Sequence, residues 1–448
     1  MTMNNLCYNS TLTHYLVAKQ QSPMMFKLMF LVTAKQQNYL SYLLILLIGL
    51  VLPSKSEALD TIDDSFVPSF TNATIKPYVA TNMLYDSNFL RLSDKIDTVS
   101  LIGKTDKSEV ITQASTGFDL DWTLSKQHIS INADVNQNFF QNFSSLNYTG
   151  WKTKAKWDWK KGNFWDGEVS YSNDEKLASY AYINTLTPNQ INNQHFVVSA
   201  GYLFNPKGKI KFGLFRNDNK FDDISRQISN NIEDNAELNL DYLSPKGGGM
   251  GLRFLATDGQ YPSRSFPNII STDNAYTRYN FQFTWDWRAT SKIQFDGYLG
   301  RTQQYYVHLS DGNFAGNIGH LNLRYKASDK TLLELSAIRD IFQNTGQAAN
   351  FTLNQGIEFL VTWKYSSKIS LNMPLSYTQI QYLGGTNSSA QGSLQQVDHI
   401  SHIDLNLSYQ PLASISIAPV LSYEQRNSNN LAMCYETLSV GANLKMVF

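Results

Sequence analysis

The sequence predicts an all-β protein: a transmembrane antiparallel up-and-down β-barrel of about 18 strands, within a range of 16–20, preceded by a signal peptide. Three observations predict it. Apolar and polar side chains alternate over runs of about 10 to 13 residues, the length of a tilted strand crossing a bilayer. Short turn-forming clusters recur along the chain with longer polar segments between them. The chain also ends on one of the alternating runs, "ETLSVGANLKMVF", with phenylalanine as its last residue.

The alternation is clearest in "YTRYNFQFTWDWR". Tyr279, Phe281, Phe283, Trp285 and Trp287 share one face, and Arg278, Asn280, Gln282, Thr284, Asp286 and Arg288 share the other. A soluble sandwich strand can show the same pattern, because one face of its sheet is core and the other is wet. Strand length and the connections decide for the membrane. Soluble strands average about five or six residues, half the length of these runs.

Short clusters of Gly, Pro, Ser, Asn and Lys stand at residues 124–128, 160–163, 205–209, 244–249, 288–292, 326–330, 365–368 and 410–414. These are the residues that tight turns demand. Segments 173–193, 217–235, 258–275 and 380–397 are longer, polar and without clear period. Short turns at one rim and long loops at the other are the pattern of outer-membrane barrels. Eight turns join sixteen strands, and one strand before the first loop, from about Pro77 to Asn88, and one after the last bring the count to about eighteen. An even count agrees with both barrel ends lying in the periplasm.

Composition agrees and excludes other classes. Aromatic residues make up 13% of the chain and charged residues only 17%, so Asn, Gln, Ser and Thr supply the polarity. Lys+Arg 37 balances Asp+Glu 37, which leaves no basic field for nucleic acid. The two cysteines, Cys7 and Cys434, form no metal, redox or disulfide pattern.

The one continuous apolar run, "LSYLLILLIGLVL", spans residues 40–52. It is shorter than the about 20 residues of a spanning helix and has the length of a signal-peptide core, a signal anchor being the alternative. Lys27 and Lys35 precede it, and Ser56 and Ala58 supply the small residues of a cleavage site. The expected organisation is therefore an N-terminal extension and secretory signal peptide over 1–58, a periplasmic segment over 59–76 and the barrel over 77–448. The long stretch ahead of the run points to an internal start at Met24, Met25 or Met29.

Strand parity assigns faces. On the last strand Leu438, Val440, Ala442, Leu444, Met446 and Phe448 face lipid, with Leu444, Met446 and Phe448 forming a terminal signal of the kind read by the barrel assembly machinery. Parity turns Asp119, Asp121, Asp134, Lys152, Lys154, Lys156, Asp158, Asp241, Arg253, Arg278, Asp286, Asp296, Tyr298, Arg324, Glu334, Glu358, Lys364 and Asp404 toward the lumen. A charge facing lipid at mid-bilayer costs about 2 to 4 kcal/mol, so long clean strands fix the assignment.

Most of these charges solvate a wet wall. Lys152, Lys154 and Lys156 form the sharpest patch, a ladder of like charges to be relieved by neighbouring carboxylates or by an anionic solute. Tyr298 is the aromatic best placed to stack on a sugar. Trp157, Trp159, Trp285 and Trp287 read as an interfacial girdle. No catalytic constellation stands out: "KGGGMG" lacks the setting of a phosphate loop, and the histidines, "HISHID" included, lack ligand spacing. The sequence implies no enzyme, metal or cofactor.

The phrases "YDSNFLRL" at 85–92, "LNYTGWKTKAKWDW" at 146–159 and "LDYLSPKGGGMGLRFLATDGQYP" at 240–262 resemble the EpsL-like outer-membrane proteins, which accompany exosortase-linked extracellular polysaccharide biosynthesis. The resemblance implies a Gram-negative outer-membrane exporter of polysaccharide, working with periplasmic components of an export system. It brings no solute-contacting residues with it. A general or nutrient porin, and a structural or adhesive barrel acting through its loops, are the alternatives. The segment from Leu90 to Thr112 could fold inward as a constriction or not; the sequence leaves both open.

Overall fold

The computed structural model describes residues 73–182, 186–245, 248–264, 273–343, 349–384 and 395–448. The expectations for the signal peptide and for Ser56 and Ala58 lie outside the described residues.

Eighteen antiparallel strands form one closed sheet. In chain order they are β1 (Ala73–Asp86), β2 (Glu109–Leu124), β3 (Gln127–Phe140), β4 (Tyr148–Lys161), β5 (Trp165–Leu177) and β6 (Gln190–Asn205). There follow β7 (Gly208–Phe221), β8 (Asn231–Leu243), β9 (Gly249–Gln260), β10 (Ala275–Arg288), β11 (Ile293–Tyr306) and β12 (Phe314–Lys326). The last six are β13 (Thr331–Gln343), β14 (Phe351–Lys364), β15 (Ile369–Leu383), β16 (Val397–Leu412), β17 (Ile415–Ser428) and β18 (Tyr435–Val447). Each strand pairs with its chain neighbours, and β1 closes the ring on β18 from Tyr78↔Val447 to Asp86↔Ser439. β1 begins at Ala73 rather than Pro77, so residues 73–76 belong to the wall and not to the preceding segment.

Closure follows from the solvent. Lipid offers no hydrogen bonds, so each backbone N–H and C=O must find a strand neighbour, and only a ring leaves no edge. Phe448, last in the chain, donates its N–H to the Pro77 carbonyl at 2.8 Å and so ties the terminus to the first strand. All eight expected turns lie at one rim; Gly162, at φ 63, supplies the left-handed residue that the β4–β5 turn needs.

The outer face carries a continuous apolar band. Phe281 and Phe283 on β10, Ile357 and Phe359 on β14 and Val440, Leu444 and Met446 on β18 are exposed there, with Trp165, Trp287 and Trp363 near the turns. About nine residues of a strand tilted by about 40°, at about 3.3 Å each, cover roughly 23 Å, the height of such a band. Beyond it the same face turns polar while the strands continue. Arg216 pairs with Asp234 at 3.1 Å and Lys220 with Asp218 at 2.8 Å on this upper collar.

That collar refines the reading of the long polar segments. Strands run four or five residues into each end of 173–193 and 217–235, and by a few residues into 258–275 and 380–397. Above the lipid both faces of a strand are polar, and the period-two signal vanishes although the hydrogen-bonded ladder does not.

A charge introduced into the band tests this assignment. Phe359→Arg should destabilise the folded barrel by about 2 to 4 kcal/mol, whereas Glu358→Gln next to it should change stability by less than about 0.5 kcal/mol. Urea unfolding in lipid vesicles measures both.

Candidate functional site

The lumen is the candidate site, and its two ends differ. Toward the turns the inward residues form a partly exposed, charge-paired wall. Lys445 faces Asp119 at 3.7 Å, and His128 stands 2.9 Å from Asp121 and 3.7 Å from Asp158. Lys156 bridges Asp158 at 2.9 Å and Glu168 at 3.6 Å. Arg324 lies between Asp296 at 3.3 Å and Glu334 at 3.5 Å, Arg253 is 3.6 Å from Glu237, and His402 is 2.9 Å from Asp404. These pairs sit in or near water, where each is worth about 1 kcal/mol or less.

Cavities in the wall gather some of the expected residues. One of about 800 Å³ brings Asp241, Arg253, Asp286, Asp296, Tyr298 and His320 together. Tyr298 does face the lumen, and its hydroxyl donates to Asp340 at 2.6 Å. A second, of about 450 Å³, is lined by Lys152, Lys154 and Lys156 with Glu168, Ser170 and Asp174. The ladder is thus only partly relieved: Lys156 has carboxylate partners, while no carboxylate comes within 4 Å of Lys152 or Lys154 among the described residues. Asp134 accepts the hydroxyl of Tyr78 at 3.1 Å instead of meeting Lys152. Glu358 and Lys364 stand apart from both cavities.

The extracellular end is lined by buried contacts that hold loops against the wall. Residues 87–108, which contain a short helix α1 (Thr98–Ile102), pack Leu90, Leu92 and Ile102 against Phe140, Phe143, Leu146 and Tyr180. The open question about this segment is answered: it lies on the inward ends of β2–β4. Arg91, held at φ 56, fastens it to the wall through Asp86 at 2.8 Å and Glu424 at 3.3 Å. Next to it the fully buried Glu109 carboxylate accepts the N–H groups of Asn142 at 2.8 Å and Phe143 at 2.7 Å.

On the opposite arc Tyr261, Tyr276, Tyr306, Ile341, Phe351 and Leu353 form a second apolar cluster. Inside it Arg278 pairs with Glu233 at 2.8 Å, Tyr276 donates to the same carboxylate, and Gln343 donates to the Tyr276 hydroxyl at 3.0 Å. Two further arginines bind loops by their main chain. Arg426, fully buried with its partner Asp398, donates to the Ala181 carbonyl at 2.7 Å. Arg264, stacked 3.5 Å over the Tyr261 ring, donates to the carbonyls of Ile228 and Asp273, each at 2.9 Å.

Asp273 is a third anchor. Burial alone would raise its carboxyl, but His308, through ring and backbone, and the N–H groups of Leu309 and Asn274 hold it below the ordinary carboxylate value. Sequence reading found Arg278 but missed Glu233, Asp398, Arg426 and Asp273. For the first three the signal was present, since inward parity continues past the band into the collar; Asp273 sits in a loop, where no period exists.

Comparison with known proteins adds the following. A model of the surface lipoprotein assembly modifier family matches residues 186–448. None of the curated proteins matches significantly. Among solved structures the chain is similar to the Pseudomonas aeruginosa outer-membrane protein OpdK, at 10% identity and a TM-score of 0.46 over 84% of this chain and 99% of that one. It is also similar to Acinetobacter baumannii OccAB3, at 9%, 0.43, 84% and 99%, and to the siderophore receptor PirA from Pseudomonas aeruginosa, at 8%, 0.40, 83% and 80%.

Two tests bear on these loop contacts. Arg426→Ala strands the buried Asp398 carboxylate and frees Ala181, at a cost of about 3 to 5 kcal/mol to that contact; single-channel conductance in planar bilayers should rise severalfold. The Asp273 carboxyl is depressed in the folded state, so its contribution is complete above the ordinary value of about 3.9 and is lost as pH falls through the lower folded value. Conductance should therefore increase below about pH 4, and Asp273→Asn should conduct at neutral pH as the parent does in acid.

Proposed function

This chain belongs to the surface lipoprotein assembly modifier family, and from that premise we propose that its outer-membrane barrel is a gated translocation channel for a cargo destined for the cell surface. One observation carries the reading: the outer end of the bore is lined by buried arginine–carboxylate pairs and two apolar clusters that hold loops against its inner wall. About eighteen strands leave a water-filled lumen. Loops fastened at a few discrete contacts suit a conduit that opens for an occasional large cargo.

The family description favours a lipid-anchored protein as cargo. The wall suits an unfolded chain: half-exposed charges of both signs and many amides can exchange hydrogen bonds with a passing backbone without holding it. Polysaccharide export is the second reading. Support for it comes from the phrases at 85–92, 146–159 and 240–262 and from the Asn, Gln, Ser and Thr of the wall, which suit sugar hydroxyls equally well. In either case the proposed assembly route is recognition of Leu444, Met446 and Phe448 by the barrel assembly machinery, with periplasmic factors presenting the cargo.

A deletion strain separates the readings. Protease shaving of intact cells should show lipoproteins lost from the surface while total lipoprotein is unchanged, with extracellular polymer unaffected. Polymer trapped in the periplasm with normal lipoprotein display would select the second reading. Unchanged display of both, together with steady small-solute conductance by the reconstituted protein, would reject both in favour of a porin.

A further inference from the structure

Among the described residues the β12–β13 hairpin is the least completely paired of the wall. β12 and β13 pair from Lys326↔Leu332 up to Gly319↔Arg339 and no further, whereas β13 and β14 continue from Thr331↔Trp363 to Gln343↔Phe351. Above Gly319, β12 keeps only β11 as a partner, with Gly300↔Ile318 and Gln304↔Phe314. Above Arg339, β13 keeps only β14.

The two edges part because the top of the β13–β14 hairpin turns into the barrel. By parity Ile341 continues the lipid-facing row of Leu335 and Ala337, yet it is buried with the inward-facing Tyr276 and Tyr306. Gln343, on the same row, reaches the Tyr276 hydroxyl. Phe342, on the other face, is 44% exposed and borders a small cavity with the inward-facing Tyr276, Arg278 and Gln304.

Unpaired strand edges are costly beside lipid and invite the addition of another strand. Here two charged side chains stand in for the missing rungs. Arg339 donates from Nε to the Asn317 carbonyl at 3.1 Å across the gap, and is held from behind by Gln355. Asp340 accepts the Ile341 N–H at 2.8 Å and the Tyr298 hydroxyl at 2.6 Å. Side-chain latches can let go without unzipping a ladder.

The gap opens at the polar rim of the apolar band, where Leu299 and Leu335 give way to Arg301 and Arg339 along their strands. Directly inside it lies the aromatic cluster, one of the two apolar patches of the inner wall. The geometry points to the β12–β13 seam as a lateral portal, latched by Arg339 and Asp340, through which an acyl chain passes between the lumen and the outer leaflet. This goes beyond the translocation reading, and its test needs no knowledge of the natural cargo.

The full barrel is reconstituted in vesicles whose phospholipid carries a diazirine at the acyl terminus, irradiated and mapped by mass spectrometry. A second arm places the same diazirine in the acyl chain of a short diacylated cysteine peptide added to barrel in plain vesicles. The portal requires label on Phe342 and Phe351 at least about tenfold above the inner-wall residues Asn280 and Gln282 in one arm or both. Label in the lipid arm assigns the portal to membrane lipid, and label in the peptide arm to a lipid-anchored cargo.

Arg339→Ala should raise the Phe342 and Phe351 label about threefold, with Leu335 and Phe359 labelled as in the parent, which shows that the barrel is intact. Asp340→Asn serves as the second variant. Label confined to outward side chains in both arms, or lumen label indifferent to both latch substitutions, overturns the proposal. Failure here leaves the deletion-strain result standing by itself.

Discussion

Hydrogen-bond satisfaction in a solvent that offers none is the constraint on which this molecule rests. It dictates strands paired to neighbours on both sides, and a first strand that meets the last. Once the ring is closed, period-two geometry divides every strand into an oily row and a wet row, so the charge-paired wall and the apolar band are two faces of one requirement. The Phe448 amide adds one further bond to the β1–β18 ladder that closes the ring.

A second layer is built on that ring at its extracellular end. Lower in the bore the ion pairs are bathed in water and contribute little individually. At the mouth Arg278–Glu233 and Arg426–Asp398 are buried, and there losing one partner leaves a charge that the surroundings cannot solvate. Each such loop is therefore fastened at one or two buried charges rather than along a continuous surface.

Much of this was legible in the residues. Tyr279 to Trp287 and Leu438 to Met446 announced their faces because lipid penalises any departure from alternation, and "KKGN" or "QPLAS" announced turns because few residues can make them. Legibility failed where lipid stopped acting. Above the band Arg216, Asp218 and Lys220 face outward into water, so β7 lost its period while remaining a strand. The inward bend of the β13–β14 hairpin was invisible for a related reason: Ile341, Phe351 and Leu353 look in sequence like continued lipid-facing positions, and only the tertiary packing shows that they were turned around to meet Tyr276 and Tyr306. Parity put Tyr298 on the inward row, but its tie to Asp340 depends on a register no single sequence displays.

The way in which the outer loops are held has a consequence for how they can change. Arg426 grips the carbonyl of Ala181, Arg264 those of Ile228 and Asp273, Ser93 that of Leu431 at 2.8 Å and Lys104 that of Asn142 at 2.6 Å. A carbonyl is common to all twenty amino acids, so the gripped positions place little demand on side-chain identity. The surface seen by antibodies and phages can drift in composition while the fastening beneath it, two arginines, a serine and a lysine, stays as it is.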